Sequence, residues 1–130
     1  MDINLVPHIV GMLKTSSILA MLDSVGSNKA IISGREVPST YQDLSKMLQV
    51  YRTSPIGAHD ISIQAYTINC RQSNETNADS LASLVYNEVN RTIKAYLGAE
   101  IYTQCTIGAC IREEENSWNT PIDVRVFHRR

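Results

Sequence analysis

A chain of 130 residues has room for one domain, and we expect that domain to span residues 1–130. With 43% hydrophobic and 19% charged residues, the composition is ordinary for a soluble protein, and no apolar run approaches the ~20 residues of a membrane span. The formal net charge of −1 creates no field that would draw the chain to nucleic acid or to an anionic membrane.

The N-terminus and the cysteines indicate a reducing compartment. Residues Met1 to Asn4 include an acid and lack the basic stretch of a signal peptide. The cysteines Cys70, Cys105 and Cys110 are odd in number, with no CxxC spacing and no histidine partner cluster. We therefore expect an intracellular protein whose thiols are free and act as small hydrophobic side chains, without a metal site.

The first half of the chain predicts helix and then short strands. Apolar residues at three- and four-residue steps predict helix within Asp2 to Leu22, with Asp2 as a candidate cap. Thr15 to Ser17 are expected to end the first helix and to cap a second short one. Ala30 to Ile32 is a strand candidate, and Glu36 to Tyr41 is typical of an extended loop. A further strand is expected over Met47 to Tyr51.

The middle of the chain contains the clearest strand and the clearest helix. Alternation over Asp60 to Ile68 predicts a strand that carries Ile63 on one face and Tyr66 on the other. A helix is then expected from a cap at Thr76 or Asn77, with Gly98 as a left-handed stop. Its predicted apolar stripe consists of Leu81, Leu84, Val85, Val89, Ile93 and Tyr96.

The last third predicts more strand. Glu100 to Ile111 favours one or two strands, and Glu113 to Asn119 is a polar loop that carries Trp118. Pro121 is expected to start a final strand, a position that tolerates proline. Alternation in this strand places Ile122, Val124 and Val126 on one face and Asp123, Arg125 and Phe127 on the other. The order of elements indicates an α+β domain of two layers, in which one long amphipathic helix packs on a mostly antiparallel sheet and an N-terminal helix precedes it.

No nucleotide-binding, metalloprotease or hydrolase motif is present, so we expect neither catalysis nor a cofactor. One alternative is a small thiol enzyme in which Arg71 lowers the pKa of Cys70. The consecutive acids Glu113, Glu114 and Glu115 do not converge on a metal ion, because neighbours on an extended chain point in alternate directions.

Two sets of residues are candidates for contacts between proteins. Glu113 to Glu115 are opposite in charge to the C-terminal Arg125, Arg129 and Arg130, and the two sets could pair across a hairpin or between neighbouring copies, with DNA contact as a third alternative. The loop from Gly34 to Met47 is the candidate for docking a partner. The individual docking candidates are Arg35, Glu36, Tyr41 and Trp118, the last of which could instead cover the edge of the core.

The order of elements resembles that of the tail terminator (tail completion) proteins of tailed bacteriophages. The resemblance covers most of the chain and lies in the order and length of elements, while the long loop Gly34 to Met47 departs from compact family members. It rests on Ala30 to Gly34 with Pro38, Val50 to Pro55, Asp60 to Tyr66, Ala78 to Tyr96 and Pro121 to Phe127.

The resemblance implies a virion protein with no catalytic residues. A homohexameric ring of this kind sits on the last ring of tail-tube protein, stops tube growth and offers a joining surface to the head-side connector protein. Such a ring is assembled in the host cytoplasm and ends in the virion neck. Another neck or head–tail connector component, the thiol enzyme and a host interaction module remain the alternatives.

Overall fold

The computed structural model describes residues 4–53 and 62–129, within which the chain forms three α-helices and nine strands. A single 3₁₀ turn spans Ser39–Tyr41. In chain order the elements are α1 (Val6–Met12), α2 (Ser16–Leu19), β1 (Ser24–Val25), β2 (Asn28–Lys29), β3 (Ile31–Ser33), β4 (Met47–Arg52), β5 (Ser62–Gln72), α3 (Glu75–Val89), β6 (Thr92–Tyr96), β7 (Ala99–Ile107), β8 (Ile111–Glu114) and β9 (Ser117–Arg129).

The N-terminal helices form as their sequence predicts. Helix α1 begins at Val6 with Pro7 in its first turn, where the missing N–H has no helical partner to lose. The hydroxyl of Thr15 caps α2 by accepting a hydrogen bond from the Ile18 N–H at 3.4 Å. The expected cap at Asp2 lies outside the described residues, as do the expected strand start at Asp60 and the strand end at Pro55.

Both predicted ends of the clearest helix were wrong. Its N-cap is Asn74, whose Oδ1 accepts from the Asn77 N–H at 2.8 Å, and not Thr76 or Asn77. The helix ends at Val89, and the Oδ1 of Asn90 accepts from the Cys105 N–H at 2.8 Å. Arg91 follows at φ +55°, so the chain turns back as strand β6. Ile93 and Tyr96 therefore belong to β6, and Gly98 to the turn after it.

The final strand begins earlier than predicted. Strand β9 starts at Ser117, so Trp118 is a strand residue and Pro121 lies inside the strand. The backbone O of Pro121 accepts a hydrogen bond from the Gly108 N–H at 2.8 Å. The proline nitrogen, which carries no hydrogen, faces the same side of β9, opposite the gap between the end of β7 and the start of β8. The gap between these two strands removes the usual cost of proline in a sheet.

Seven strands form one curled, mostly antiparallel sheet, which confirms the α+β class. The order is β3-β4-β5-β9-β7-β6, with β8 extending the line of β7 along β9, and β3–β4 is the parallel pair. Helix α1 packs on β3 and β4, and α3 packs on β5, β9 and β7. The core between helices and sheet includes Leu5, Ile9, Leu48, Val50, Tyr66, Ile68, Leu81, Val85, Ile122, Val124 and Val126.

The opposite side of the sheet, which we call the open face, carries no α-helix among the described residues. Part of it is covered by the segment after β3, which packs over a small second cluster. In that cluster Ile32 and Met47 are buried beneath Tyr41 and Leu44. The open face is therefore divided into a covered part near β3 and a part toward β6 that no segment within residues 4–53 and 62–129 covers; we call the latter the uncovered part.

Candidate interaction surfaces

A groove of about 740 Å³ crosses the open face between two predicted contact regions. One wall belongs to the Gly34–Met47 loop, and the other is the β8–β9 hairpin with Glu113, Glu114 and Glu115. Arg71 of β5 contributes to the lining. The structure thus brings together the acidic residues and the loop that the sequence suggested separately.

One buried glutamine fastens the loop to the sheet. The Nε2 of Gln49 donates to the backbone carbonyls of Gly34 at 2.8 Å and Arg35 at 2.9 Å. Its Oε1 accepts from Arg71 Nη1 at 2.6 Å and from Asn69 Nδ2 at 3.3 Å. Because Gln49 is only 2% exposed, these bonds replace its lost hydration and fix the near wall of the groove.

Glu113 and Arg125, two of the charges for which pairing across a hairpin was one alternative, are not partners. Glu113 Oε1 lies 2.7 Å from Arg71 Nε, and β8 pairs with β9 only over Ser117 to Asn119. Arg125 is exposed six residues further along β9, about 20 Å away at the strand rise. A contact between these charges in neighbouring copies stays a prediction. Arg129 is the last residue of β9, and Arg130 lies outside the described residues.

The four predicted docking residues do not form one surface. Arg35 stacks over the Tyr51 ring at 5.1 Å and donates through Nη2 to the Arg52 carbonyl at 3.1 Å. Glu36 is exposed, whereas Tyr41 packs on the second cluster and is half-buried.

Trp118 lies apart from these three. It is half-buried opposite Gln72 of β5, with the Arg112 guanidinium 5.8 Å from its ring. The amide of Gln72 donates to the Met21 carbonyl, next to α2. Trp118 therefore belongs to the helix-covered side of the sheet.

An exposed apolar row, absent from the sequence predictions, crosses the uncovered part of the open face. Ile63, Phe127, Tyr102 and Ile93 are direct cross-strand neighbours on β5, β9, β7 and β6. Ile63 is 56% exposed and Ile93 is 64% exposed, and the Tyr102 and Phe127 rings lie 5.8 Å apart. We call these four residues the apolar row. Alternation along β9 had placed Phe127 on the outer face, but only the strand order aligns the four side chains.

Two of the three thiols, those of Cys70 and Cys105, are buried. Cys70 is fully buried, and this burial raises its pKa far more than the nearby Arg71 lowers it. Burial also raises the pKa of Cys105 to about 12. The described residues contain no group of three His, Cys, Asp or Glu side chains that could hold a metal ion. Within the same residues, no helix has the length and apolar character needed to cross a membrane.

Comparison of the chain with protein-family models, with curated protein sequences and with solved structures gives no match.

Proposed function

We propose that this chain is a structural virion protein that resembles the phage tail terminators. Its copies form a ring, a homohexamer, that caps the tail tube, stops tube polymerisation and offers the joining surface to the head-side connector protein. The ring acts in the virion neck after assembly in the host cytoplasm. Its activity is contact alone, with no catalytic group, cofactor, membrane or specific nucleic acid.

The proposal includes the finer description of the fold. The domain has two layers, in which α3 is the one long amphipathic helix on the sheet and α1 is the N-terminal helix. Supporting this, α3 has 15 residues, and Leu81, Val85 and Val89 on its inner side are buried. The sheet is then a platform whose second face is left for other proteins.

The apolar row is the observation that carries the proposal. Single exposed hydrophobic side chains are common on proteins, but here two exposed isoleucines are joined by two half-buried aromatic rings into a contiguous apolar strip on the outer face of the sheet, and such strips mark contact surfaces. The row runs straight across β5, β9, β7 and β6, so it presents an extended strip to a partner. We assign this strip to the tail-tube protein, whose repeating ring presents the same surface to every copy.

The groove supports a contact function and does not favour the thiol enzyme. Its described lining has four carboxylates, from Asp43, Glu113, Glu114 and Glu115, against the one guanidinium of Arg71. Such a wall orients a basic partner more than it strengthens binding. A thiol enzyme requires an accessible thiolate, and Cys70 has no exposed surface.

The test measures tail-tube polymerisation with purified chain added. The parent chain should form rings and stop tube growth. The variant Ile63→Asp should still form rings, but about tenfold more of it should be needed to stop tube growth. The matched control is Gln104→Asp, which introduces the same charge at an exposed residue of the same face and should cap normally.

A chain that stays monomeric at high concentration and leaves tube growth unchanged would refute the proposal. Rings that bind the head-side connector protein without affecting tube growth would identify the connector alternative.

A further inference from the structure

The turn between β6 and β7 carries an unexpected residue. Leu97 and Gly98 both have positive φ, +51° and +79°, as the two central residues of a type I′ hairpin turn do. That turn favours Asn-Gly, and a leucine is strained in the left-handed region. Leu97 is also 73% exposed, so contacts within the chain do not compensate for the strain. Strained residues of this kind concentrate at functional positions such as active sites, ligand clamps and switch regions.

The base of this hairpin is fixed to the domain. Tyr96 is half-buried against the core, and its ring lies 4.9 Å from that of His8 on α1. The neighbouring Ala99 is buried at 4% exposure. Leu97 is therefore an apolar tip on a rigid support, at the β6 edge of the sheet.

The opposite edge of the sheet has a pocket lined by both apolar and polar side chains, which we call the edge pocket. It lies beside β3, has a volume of about 400 Å³, and is lined by Val10, Leu19, Ile31 and Tyr41 among apolar residues. Lys14 and Lys29 also line it, and none of the lining residues that the structure describes is acidic.

The hairpin tip and the edge pocket match in chemistry and in position. Glu100 is opposite in sign to Lys14 and Lys29 of the pocket, and the cationic Lys94 of the same hairpin lies on the other face of the sheet. Five interstrand spacings of about 4.8 Å separate the two edges, roughly 24 Å, so one copy cannot fill its own pocket. A second copy placed beside the first can.

We propose that Leu97 of one copy inserts into the edge pocket of the next, with Glu100 facing Lys14 and Lys29. This inference rests on the proposed ring and names the surfaces that close it. The contact is heterologous: each copy gives a tip at one edge and receives one at the other, so copies continue around a ring until it closes. The apolar row takes no part in this contact and stays available to the tail tube.

Leu97→Asn separates the contact from stability. The variant creates Asn-Gly in the type I′ turn, so it should unfold at the same temperature as the parent chain or higher. Its solution mass, measured by light scattering, should fall from the ring to the monomer at concentrations at which the parent chain stays assembled. Ile111→Asn is the control, because Ile111 is 56% exposed on β8 and belongs neither to the β6–β7 turn nor to the lining of the edge pocket; its rings should persist.

A mixing experiment identifies the pocket as the acceptor. Asn28 is exposed and lines the edge pocket, so Asn28→Trp should block the pocket while leaving the tip intact. Each variant alone should be a monomer, whereas a mixture of Leu97→Asn with Asn28→Trp should form a one-to-one dimer, since one intact tip meets one intact pocket. A mixture that stays monomeric, or a Leu97→Asn chain that still forms rings, would overturn the inference.

The two proposals fail differently. If the parent chain forms rings and Leu97→Asn forms them equally well, the tip-and-pocket contact is wrong and the capping function stands. If the parent chain itself is a monomer without effect on tube growth, the capping function is wrong, and the contact that rests on it falls too.

Discussion

The two faces of the sheet are built from alternate residues of the same strands, yet they have opposite roles. On β5 the helix-covered face has Tyr66, Ile68 and Cys70, each at most 1% exposed. The open face of the same strand has Ile63 at 56% exposure and the hydrogen-bonded Asn69. Apolar side chains on the helix-covered face are thus buried in the core, whereas Ile63 on the open face is exposed.

The two faces differ less in polarity than in whether their side chains join elements of the fold. The helix-covered face also contains polar groups, but they join elements of the fold: the Tyr66 hydroxyl accepts from the Leu5 N–H at 2.9 Å and donates to Gln64. On the open face Gln49 joins the Gly34–Met47 loop to the sheet by two hydrogen bonds. Beyond this loop no described segment covers the apolar row. The contrast predicts which substitutions affect folding and which affect assembly.

The largest expected effect is the loss of a core methyl cluster from the helix-covered face. Ile68→Ala should lower the free energy of unfolding by about 2–5 kcal/mol, because it removes buried apolar surface and leaves a cavity between β5 and the helices. Urea denaturation measures the change. Ile63→Ala deletes the same atoms five residues earlier on the exposed face and should cost below about 1 kcal/mol. Equal losses at the two positions would contradict the division between the faces.

The buried amide of the open face should have an intermediate effect. Gln49→Leu keeps the volume but leaves the Gly34 and Arg35 carbonyls without their donor, which we expect to cost about 1–3 kcal/mol. Trypsin should then cleave at Arg35 or Lys46 faster than in the parent chain, because the loop loses its attachment. Gln104→Leu, at an exposed position of the same face, is the control and should leave both measurements unchanged.

Local patterns in the sequence correctly predicted the class of fold, the alternation of β9 and the capped start of α2. They did not predict where α3 ends. Val89 and Ile93 continue the helical spacing, and the turn between them depends on a residue far away in the sequence. The side chain of Asn90 accepts from the Cys105 backbone, a bond that exists only once β7 is in place. Periodicity therefore overran the helix by two turns.

The interaction surfaces were predictable only in part. The acidic hairpin and the Gly34–Met47 loop were found from charge and length, and the structure adds that they face each other across a groove. The apolar row was out of reach, since its four residues come from four strands whose order a single sequence does not give. Pro121 was misplaced for the same reason: its position depends on the gap between β7 and β8.

The smallest expected effect is a pH dependence of the free energy of unfolding, caused by His8 on the helix-covered side of the sheet. His8 is buried at 9% exposure, and burial, with a smaller contribution from the Lys94 charge, lowers its pKa below the ordinary 6.5. The unfolded chain then binds a proton at a pH where the folded chain does not. Stability is therefore complete above about pH 6.5 and is lost as the pH falls toward the lowered pKa, by at most ~1.4 kcal/mol per pH unit for one proton.

The variant His8→Phe tests this assignment, since it keeps an aromatic ring beside Tyr96 and removes the titrating group. Urea denaturation at pH 7.5 and 5.5 should show a smaller acid loss in the variant than in the parent chain. If the free energy of unfolding falls equally in the variant and in the parent chain, groups other than His8 cause the pH dependence. The assignment of a buried, neutral His8 would then be wrong. The charges of the open face should respond to salt instead, because the Glu113 side chain, paired with Arg71, is 35% exposed and screened by solvent.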